Sequence, residues 1–330
     1  MVTRVLVTGV GGAAGIAVVR GLLGREDTEV FAADMDGWAA GLYLVPAEAR
    51  RLVPPGRAPE FVTALAALVH ADAIDLVIST VDVELVALAE RRDELAPAIL
   101  AAPSSETLAI ALDKYALAER CREVCRVPAT RLAGPDALAV DWSYPVIAKP
   151  RLGAGGRGVR LVPDRAALEA LPLDEGLLVQ DHLPGEEYSV DVLADASGHV
   201  VAAVPRLRSR VDSGVAIAGR TVRDAELESS AAAVAQAIGL VGVANVQLRR
   251  DHEGRPALLE VNPRFPGSLP LTIAAGVDIP SLVVDLFLGR SLPSSIPFRE
   301  VASVRFLQDI VLDLDEVLVS AHAAHQDEAP

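Results

Sequence analysis

Lysine is scarce in this sequence. Of its 30 basic residues only Lys114 and Lys149 are lysines, leaving 28 arginines in 330 positions. Lysine is ordinarily a common surface residue. A chain-wide preference for arginine explains the scarcity but not why two positions keep an ammonium. A compact point charge suits a phosphate contact; chance survival is the plain alternative, and on the count alone the two stand level. Cysteine is also sparse: Cys121 and Cys125 are the only two, four apart and so on one face of a helix. No further Cys or His joins them, which leaves a zinc site short of ligands and favours buried free thiols. The histidines are scattered, with His322 and His325 in a polar tail after about 318 that reads as frayed. No apolar run approaches the roughly 18 residues a membrane span needs, and the opening MVTRVLVTGVGG lacks the layout of a signal peptide. Positive charge is in deficit, the formal net charge being −15, which argues against a general nucleic-acid binder. The expectation is a soluble cytoplasmic protein with neither nucleic acid nor membrane as partner.

What is present is a large apolar fraction, 51%, in a chain long enough for two or three compact units. The pattern predicts a strand over 2–8, a helix over 13–24, a strand over 29–33 ending at Asp34, a helix over 60–70, a strand Leu76–Ser79 and a helix over 83–95. Such alternation implies a small parallel sheet with crossover helices. A helical stretch over 105–125, interrupted near Asp113, ends at Val127-Pro128. Strand Val146–Lys149, a glycine-rich loop, strand Val159–Val162, helix 164–171 and strand Leu177–Gln180 make a second α/β unit. Long strands follow over 187–194, 199–205 and 207–211, then helix 224–238, strands 243–249 and 257–261, helix 279–288 and strand 301–307.

Thr8-Gly9-Val10-Gly11-Gly12-Ala13-Ala14-Gly15 lies between a strand and a helix, with Asp34 at the end of the next strand. That is the context of a dinucleotide fingerprint and makes an NAD(P)-dependent oxidoreductase the alternative function. The same glycines also let the first strand pack tightly on its helix with no ligand at all. Tyr144 precedes Lys149 by five residues with Pro145 between, not by the three a short-chain dehydrogenase uses.

The stretch ending in Lys149-Pro150 runs into Arg151-Leu-Gly153-Ala-Gly155-Gly156-Arg157-Gly158. Backbone N–H groups of such a loop can surround phosphate oxygens. No Gly-Lys-Ser/Thr follows, so this is not a P-loop; a plain hairpin turn is the simpler alternative. Further on, the linker around Gln180, Asp181 and Leu183 can hold an adenine edge, and Glu187 can take ribose hydroxyls, although a solvated turn also accounts for Glu186 and Glu187.

Along Leu259-Glu260-Val261-Asn262, alternation puts Glu260 and Asn262 on one face. If His252–Arg255 is a four-residue hairpin loop, Gln247 falls opposite Glu260 on that same face. Three hard oxygen donors suit Mg²⁺ shared with substrate phosphates, and partly buried polar groups among Leu258, Leu259 and Val261 need partners. Arg264 can clamp a transferred phosphate. Arg206, Arg208 and Arg210 alternate and so share a strand face, which either binds a substrate carboxylate or the γ-phosphate or is an exposed basic strand. Ser268 and the Gly11–Ala14 turn are candidates for bordering an acceptor pocket.

With Asp113-Lys114, Lys149 and its glycine loop, Gly185-Glu186-Glu187-Tyr188-Ser189-Val190-Asp191-Val192 and Glu260-Val261-Asn262-Pro263-Arg264 in this order, the chain resembles the ATP-grasp superfamily over nearly its whole length. It is most similar to carbamoyl phosphate synthase large-subunit domains and to amino-acid ligases of the pyrrolysine-biosynthesis type. The resemblance implies an α/β protein, α+β in its ATP-grasp part. A Rossmann-like domain over 1–102 would precede an ATP-grasp domain over 103–330, with a lid about 126–182 and a catalytic subdomain about 183–318. It implies a carboxylate–amine ligase that forms an amide or peptide bond through an acyl phosphate, releasing ADP and phosphate. A nucleotide-binding protein without catalysis is a further alternative.

The resemblance assigns ATP phosphates to Lys114 and Lys149, the latter also near adenine, and closes Gly153, Gly155, Gly156 and Gly158 over them. Gln180, Asp181 and Leu183 would line the adenine slot, Glu187 the ribose. Gln247, Glu260 and Asn262 would hold one or two Mg²⁺ (Mn²⁺ being acceptable), and Arg264 would stabilise the transferring phosphoryl group beside Lys149. Arg208, Arg210 and Ser268 are the substrate candidates. The implied partners are a small carboxylate and an amine, and a homodimer is compatible with the family. Two departures stand out: Gln180-Asp181-His182 occupies the linker where Glu-Glu-Tyr-like sequences are common, and the first metal ligand is Gln247 rather than an acid.

Overall fold

The computed structural model describes residues 2–319 apart from 154, 173, 213 and 214; the tail carrying His322 and His325 lies outside the described residues. The chain opens with β1 (Thr3–Thr8), α1 (Ala13–Leu22), β2 (Thr28–Asp34), β3 (Arg50–Leu52), α2 (Phe61–Ala71), β4 (Leu76–Ser79), α3 (Asp82–Glu90) and β5 (Ile99–Leu100). The five strands form a parallel sheet in the order β3-β2-β1-β4-β5. β1, β2 and β4 are nearly continuous apolar runs, as parallel strands covered on both faces require. The short edge strands β3 and β5 were not expected: at three and two residues they carry no readable period.

Two helices then meet end to end, α4 (Ser105–Leu112) and α5 (Lys114–Cys121). Asp113 divides them by acting as the N-cap of α5, accepting from the N–H groups of Tyr115 and Ala116 at 3.0 and 3.2 Å. A four-stranded antiparallel sheet follows, built from β6 (Thr130–Ala133), β7 (Val146–Pro150), β8 (Arg160–Val162) and β9 (Asp174–Asp181) in the order β6-β9-β7-β8, with α6 (Pro135–Ala139) and α7 (Arg165–Glu169) in its connections.

The largest sheet has six strands. It comprises β10 (Glu187–Ala194), β11 (Val200–Asp212), β12 (Val215–Thr221), then, after α8 (Ala225–Ala237), β13 (Gly242–Arg250) and β14 (Pro256–Asn262); α9 (Leu269–Ala274) and α10 (Ile279–Phe287) precede β15 (Ala302–Val304). The order is β14-β13-β10-β11-β12-β15, all antiparallel. The two strands expected over 199–205 and 207–211 are one, which runs through Pro205: that proline sits just past the point where β12 ends, with Thr221 opposite Arg206, so it occupies an edge position. β12, VAIAGRT, is poor in strand-forming residues and was not foreseen.

Alternation gives the large sheet two faces. Tyr188, Val190, Val192, Ala244, Val246, Leu248 and Val261 pack with α8, Leu117 of α5 and Ala111 of α4 in one apolar cluster. The N-terminal sheet has its own core, but that core continues without a break into Leu193, Val201, Phe265, Leu269 and Val283. The N-terminal unit is therefore buttressed against the large sheet, α9 and α10. Val146, Ala148, Val179 and Leu168 form a third, small core under the four-stranded sheet. No helix among the described residues is long and apolar enough to cross a membrane.

Candidate functional site

Because Val146, Ala148, Leu177 and Val179 fill the small core, strand alternation turns Ile147, Lys149, Leu178 and Gln180 to the opposite face of the four-stranded sheet. The two lysines come together there, although 35 residues separate them in sequence. Lys149 is 6% exposed and its Nζ donates to the carbonyl of Leu259 at 3.3 Å. Lys114 Nζ donates to the carbonyl of Gly153 at 2.5 Å and lies 3.6 Å from Glu260 Oε2. Burial pulls the Lys149 ammonium down to about 8; Glu260 opposes the fall and the charge of Lys114 adds to it. The two ammonium groups thus repel each other and share the attraction of one carboxylate, Glu260.

Lys114 is positioned from behind. Arg151, two residues past Lys149, grips Asp113 with Nε at 2.9 Å from both carboxylate oxygens and a second nitrogen at 2.7 Å. Burial alone would raise the Asp113 carboxyl, but Arg151 and the two capping N–H groups outweigh it and hold it below the usual range. Arg151 also accepts through its carbonyl from the Lys114 N–H at 3.1 Å. One helix cap thus ties α5 to the end of β7. Its signal in the sequence was limited to the Asp113-Lys114 dipeptide, because nothing local marks Arg151 as the partner.

On the large sheet the register sets Gln247 opposite Glu260, and Asn245 opposite Asn262. Arithmetic from the sequence reaches the same pairing by a different route. The loop spans five residues, 251–255, closed by the Asp251 N–H donating to the Arg255 carbonyl at 2.9 Å, and Arg250 pairs with Pro256. A bulge then leaves Leu259 without a cross-strand partner and restores the count at Glu260. The unpaired Leu259 carbonyl is the one that accepts from Lys149. Gln247, Glu260 and Asn262 form an all-oxygen donor set with a single formal charge, consistent with a hard cation whose remaining charge balance comes from phosphates.

Arg264 follows and pairs with Asp82 Oδ1 at 2.8 Å, while touching Asn262 Oδ1 at 3.4 Å. Asp82 opens α3 of the N-terminal unit; this long-range partner was invisible in the sequence. Beneath the same face lies a buried network: Asp191 accepts from Arg206 at 2.9 and 2.6 Å, Asn245 at 2.7 Å and Thr272 at 2.5 Å.

The remaining candidates are dispersed around this centre. Gln180 is buried and donates to Thr130 Oγ1 at 2.7 Å. Asp181 lies at the end of β9, its carboxyl raised by burial, and Leu183 is buried just beyond. Glu187, expected to meet a ribose, is ion-paired with Arg208, which also approaches Gln247 Oε1 at 3.4 Å. Gly153, Gly155, Gly156 and Gly158 all take positive φ, from 70 to 112°, a conformation that side chains disfavour, and the loop is exposed. Arg206, Arg208 and Arg210 do not keep strict alternation: the register with β12 shifts between Arg208 and Arg210, and Arg210 is exposed. Ser268 borders a pocket formed with β11, β12 and residues 303–306.

The N-terminal glycine motif gives no support to the oxidoreductase alternative. Asp34 spends its oxygens on the chain itself, accepting from the Gly11 N–H at 2.7 Å and the Asp36 N–H at 3.1 Å. A Cβ at Gly15 would lie 2.3 Å from the Gly9 carbonyl oxygen, so that glycine is required by the packing of α1 on its loop. Segment 40–44 covers the turn, with the Gly41 N–H donating to the Val10 carbonyl at 3.2 Å.

Residues 174–310 match a family model described as ATP-grasp in the biosynthetic pathway with Ter operon. Among curated proteins, the carbamoyl phosphate synthase large chain of Halobacterium salinarum is 29% identical over 206 residues, 57% of this chain and 20% of that protein. The arginine-specific large chain from Geobacillus stearothermophilus is 28% identical over 170 residues, 47% and 16% respectively. The match thus spans a fifth or less of those relatives' own lengths. Among solved structures, a biotin carboxylase β-γ-ATP complex from Campylobacter jejuni superposes with a TM-score of 0.73 at 20% identity, covering 89% of this chain and 72% of its own. An L-amino acid ligase from Bacillus licheniformis gives 0.63 at 19% identity, covering 86% and 74%. The family model matched over residues 174–310 and the shared fold make this chain similar to ATP-grasp proteins.

Proposed function

We propose that the protein is an ATP-dependent carboxylate–amine ligase that grips ATP between the four-stranded sheet and the large sheet. One observation carries the reading: Lys114 and Lys149 converge on Glu260 and Leu259 at the seam between those sheets. In this reading residues 1–102 form a Rossmann-like unit and 103–330 the ATP-grasp domain, with 126–182 as its lid and about 183–318 as its catalytic part. With ATP as co-substrate, we assign the enzyme to the cytoplasm.

The chemistry is positioning and charge neutralisation. Lys114 and Lys149 bind phosphate oxygens, and the N–H groups of the loop carrying Gly153, Gly155, Gly156 and Gly158 enclose them. Leu178 and Ile147, which share the Lys149 face, flank the adenine, and Gln180, Asp181 and Leu183 border it. Glu187 exchanges Arg208 for ribose hydroxyls. Gln247, Glu260 and Asn262 hold one or two Mg²⁺, or Mn²⁺, which when bound neutralises phosphate charge. Arg264 orients the γ-phosphoryl group from the side of Asp82. A substrate carboxylate oxygen attacks γ-phosphorus as the bond to ADP breaks; an amine nitrogen then attacks the acyl carbon, and phosphate departs carrying the nitrogen's proton. The chain's role in both steps is to align these groups and exclude water, and no residue is required as a general base.

A coupled ADP-release assay over pools of small carboxylates and amines tests this. ADP formation that requires one member of each pool is the expected result. ATP-independent hydride transfer, or nucleotide binding with no turnover in any pool, would sink the proposal.

A further inference from the structure

The pocket beside Ser268 has a volume of about 230 Å³ and is walled by arginine in a chain whose net charge is −15. Arg206, Arg20 and Arg305 enter it from three directions: the large sheet, α1 of the N-terminal unit and the segment just past β15. They differ in how they are paired. Arg206 is neutralised by the buried, two-point contact with Asp191 and serves as a fixed wall. Among the described residues neither Arg20 nor Arg305 has a carboxylate partner: Arg20 meets Gln308 Oε1 at 3.1 Å and Arg305 meets the Gly267 carbonyl at 2.6 Å. Desolvation and the nearby charge of Arg206 make protonation of Arg305 less favourable than usual, although the residue remains exposed.

Through Arg206 the pocket lies on the same face of the large sheet as the candidate ATP residues. Directly opposed residues of antiparallel strands share a face. One row runs Glu260, Gln247, Ser189, Arg206 and Thr221 across β14, β13, β10, β11 and β12. Further along β12, the Arg305 N–H donates to the Ile217 carbonyl at 2.8 Å. At about 4.8 Å per strand, Gln247 and Arg206 are roughly 10 Å apart across the sheet, the length of a small molecule with a reacting group at one end.

We propose that this pocket receives the non-reacting end of the ligase substrate, a carboxylate held between Arg20 and Arg305, so that the substrate class is a small molecule with a second anionic group. Arg20 then makes the N-terminal unit part of the substrate site. The inference rests on the ligase reading for the word substrate, but the anion site can be tested without turnover.

The test is titration of the full-length protein with succinate and glutarate by calorimetry, with succinamide and inorganic phosphate as comparison probes, in the wild type and in Arg20→Gln, Arg305→Gln and Arg305→Lys variants. Saturable binding of a dicarboxylate, weakened at least about tenfold by either Gln change and partly restored by Lys, is expected, since a lost charged hydrogen bond is worth about that much. Succinamide should not bind, and affinity for a non-hydrolysable ATP analogue should stay within about twofold of wild type in all variants. No dicarboxylate binding, binding that ignores both Gln changes, or preference for phosphate over both dicarboxylates would overturn the proposal. Loss of nucleotide binding by the wild type would count against the ligase reading alone.

Discussion

At the residue scale, Lys149 is costly to bury. Lys149 is buried, and its ammonium titrates at about 8 rather than at a lysine's usual 10.5. Below about 8 both folded and unfolded chains carry the proton, and the full penalty of burying it is present. Between about 8 and 10.5 the folded protein has released a proton that the unfolded chain still binds, so stability rises with pH across that window. The difference corresponds to about 3 kcal/mol. Lys149→Met should therefore raise the melting temperature of the ligand-free protein at pH 7 while removing nucleotide binding, a stability–function exchange. A lower melting temperature together with unchanged nucleotide affinity would contradict it. The same titration predicts that nucleotide affinity of the wild type falls as pH rises through about 8; a flat profile from pH 7 to about 9.5 would show that the charged form is not what binds. The scarcity of lysine flagged this position, but neither its burial nor the nearness of Lys114 was legible, because both depend on how two sheets stack.

At the scale of elements, what was legible followed from period and local chemistry. The alternating strands and helices of the first hundred residues, the strand before the glycine loop and the strand pair carrying Gln247 and Glu260 each announce themselves within a dozen positions. The hairpin shows the limit. A four-residue loop counted from sequence and the observed five-residue loop with a bulge at Leu259 both set Gln247 against Glu260, because two one-residue deviations cancel. The bulge had no sequence signal, yet it frees the carbonyl that receives Lys149. The basic strand shows the opposite outcome: register shifts break the alternation expected through Arg210. The cap of α5 carries a prediction of its own. Asp113→Ala removes two N–H contacts and the Arg151 pair, and should cost about 1–2 kcal/mol of stability by denaturant unfolding while weakening nucleotide binding through Lys114. Asp113→Asn keeps the cap and loses the Arg151 charge, so it should recover most of the stability. Equal losses in the two variants would show that the cap contributes little.

At the scale of the whole molecule, the N-terminal unit is not an appendage. Its core is continuous with that of the large sheet, and Asp82 reaches Arg264 across the boundary. None of this can be read from sequence, since the partners lie 182 positions apart. Asp82→Asn is expected to lower kcat in the ADP-release assay by roughly tenfold, equivalent to about 1.4 kcal/mol, with nucleotide affinity unchanged; equal turnover would mean that Arg264 needs no such partner. The central claim, that ATP is gripped between the two sheets by Lys114 and Lys149 above Glu260, is tested most directly by equilibrium titration of the full chain with a non-hydrolysable ATP analogue, with and without Mg²⁺, in the wild type and in Lys149→Met and Glu260→Gln. The account predicts Mg²⁺-dependent binding by the wild type, at least about tenfold weaker binding by Lys149→Met under either condition, and loss of the Mg²⁺ dependence in Glu260→Gln. Wild-type affinity and Mg²⁺ dependence retained in both variants would contradict it.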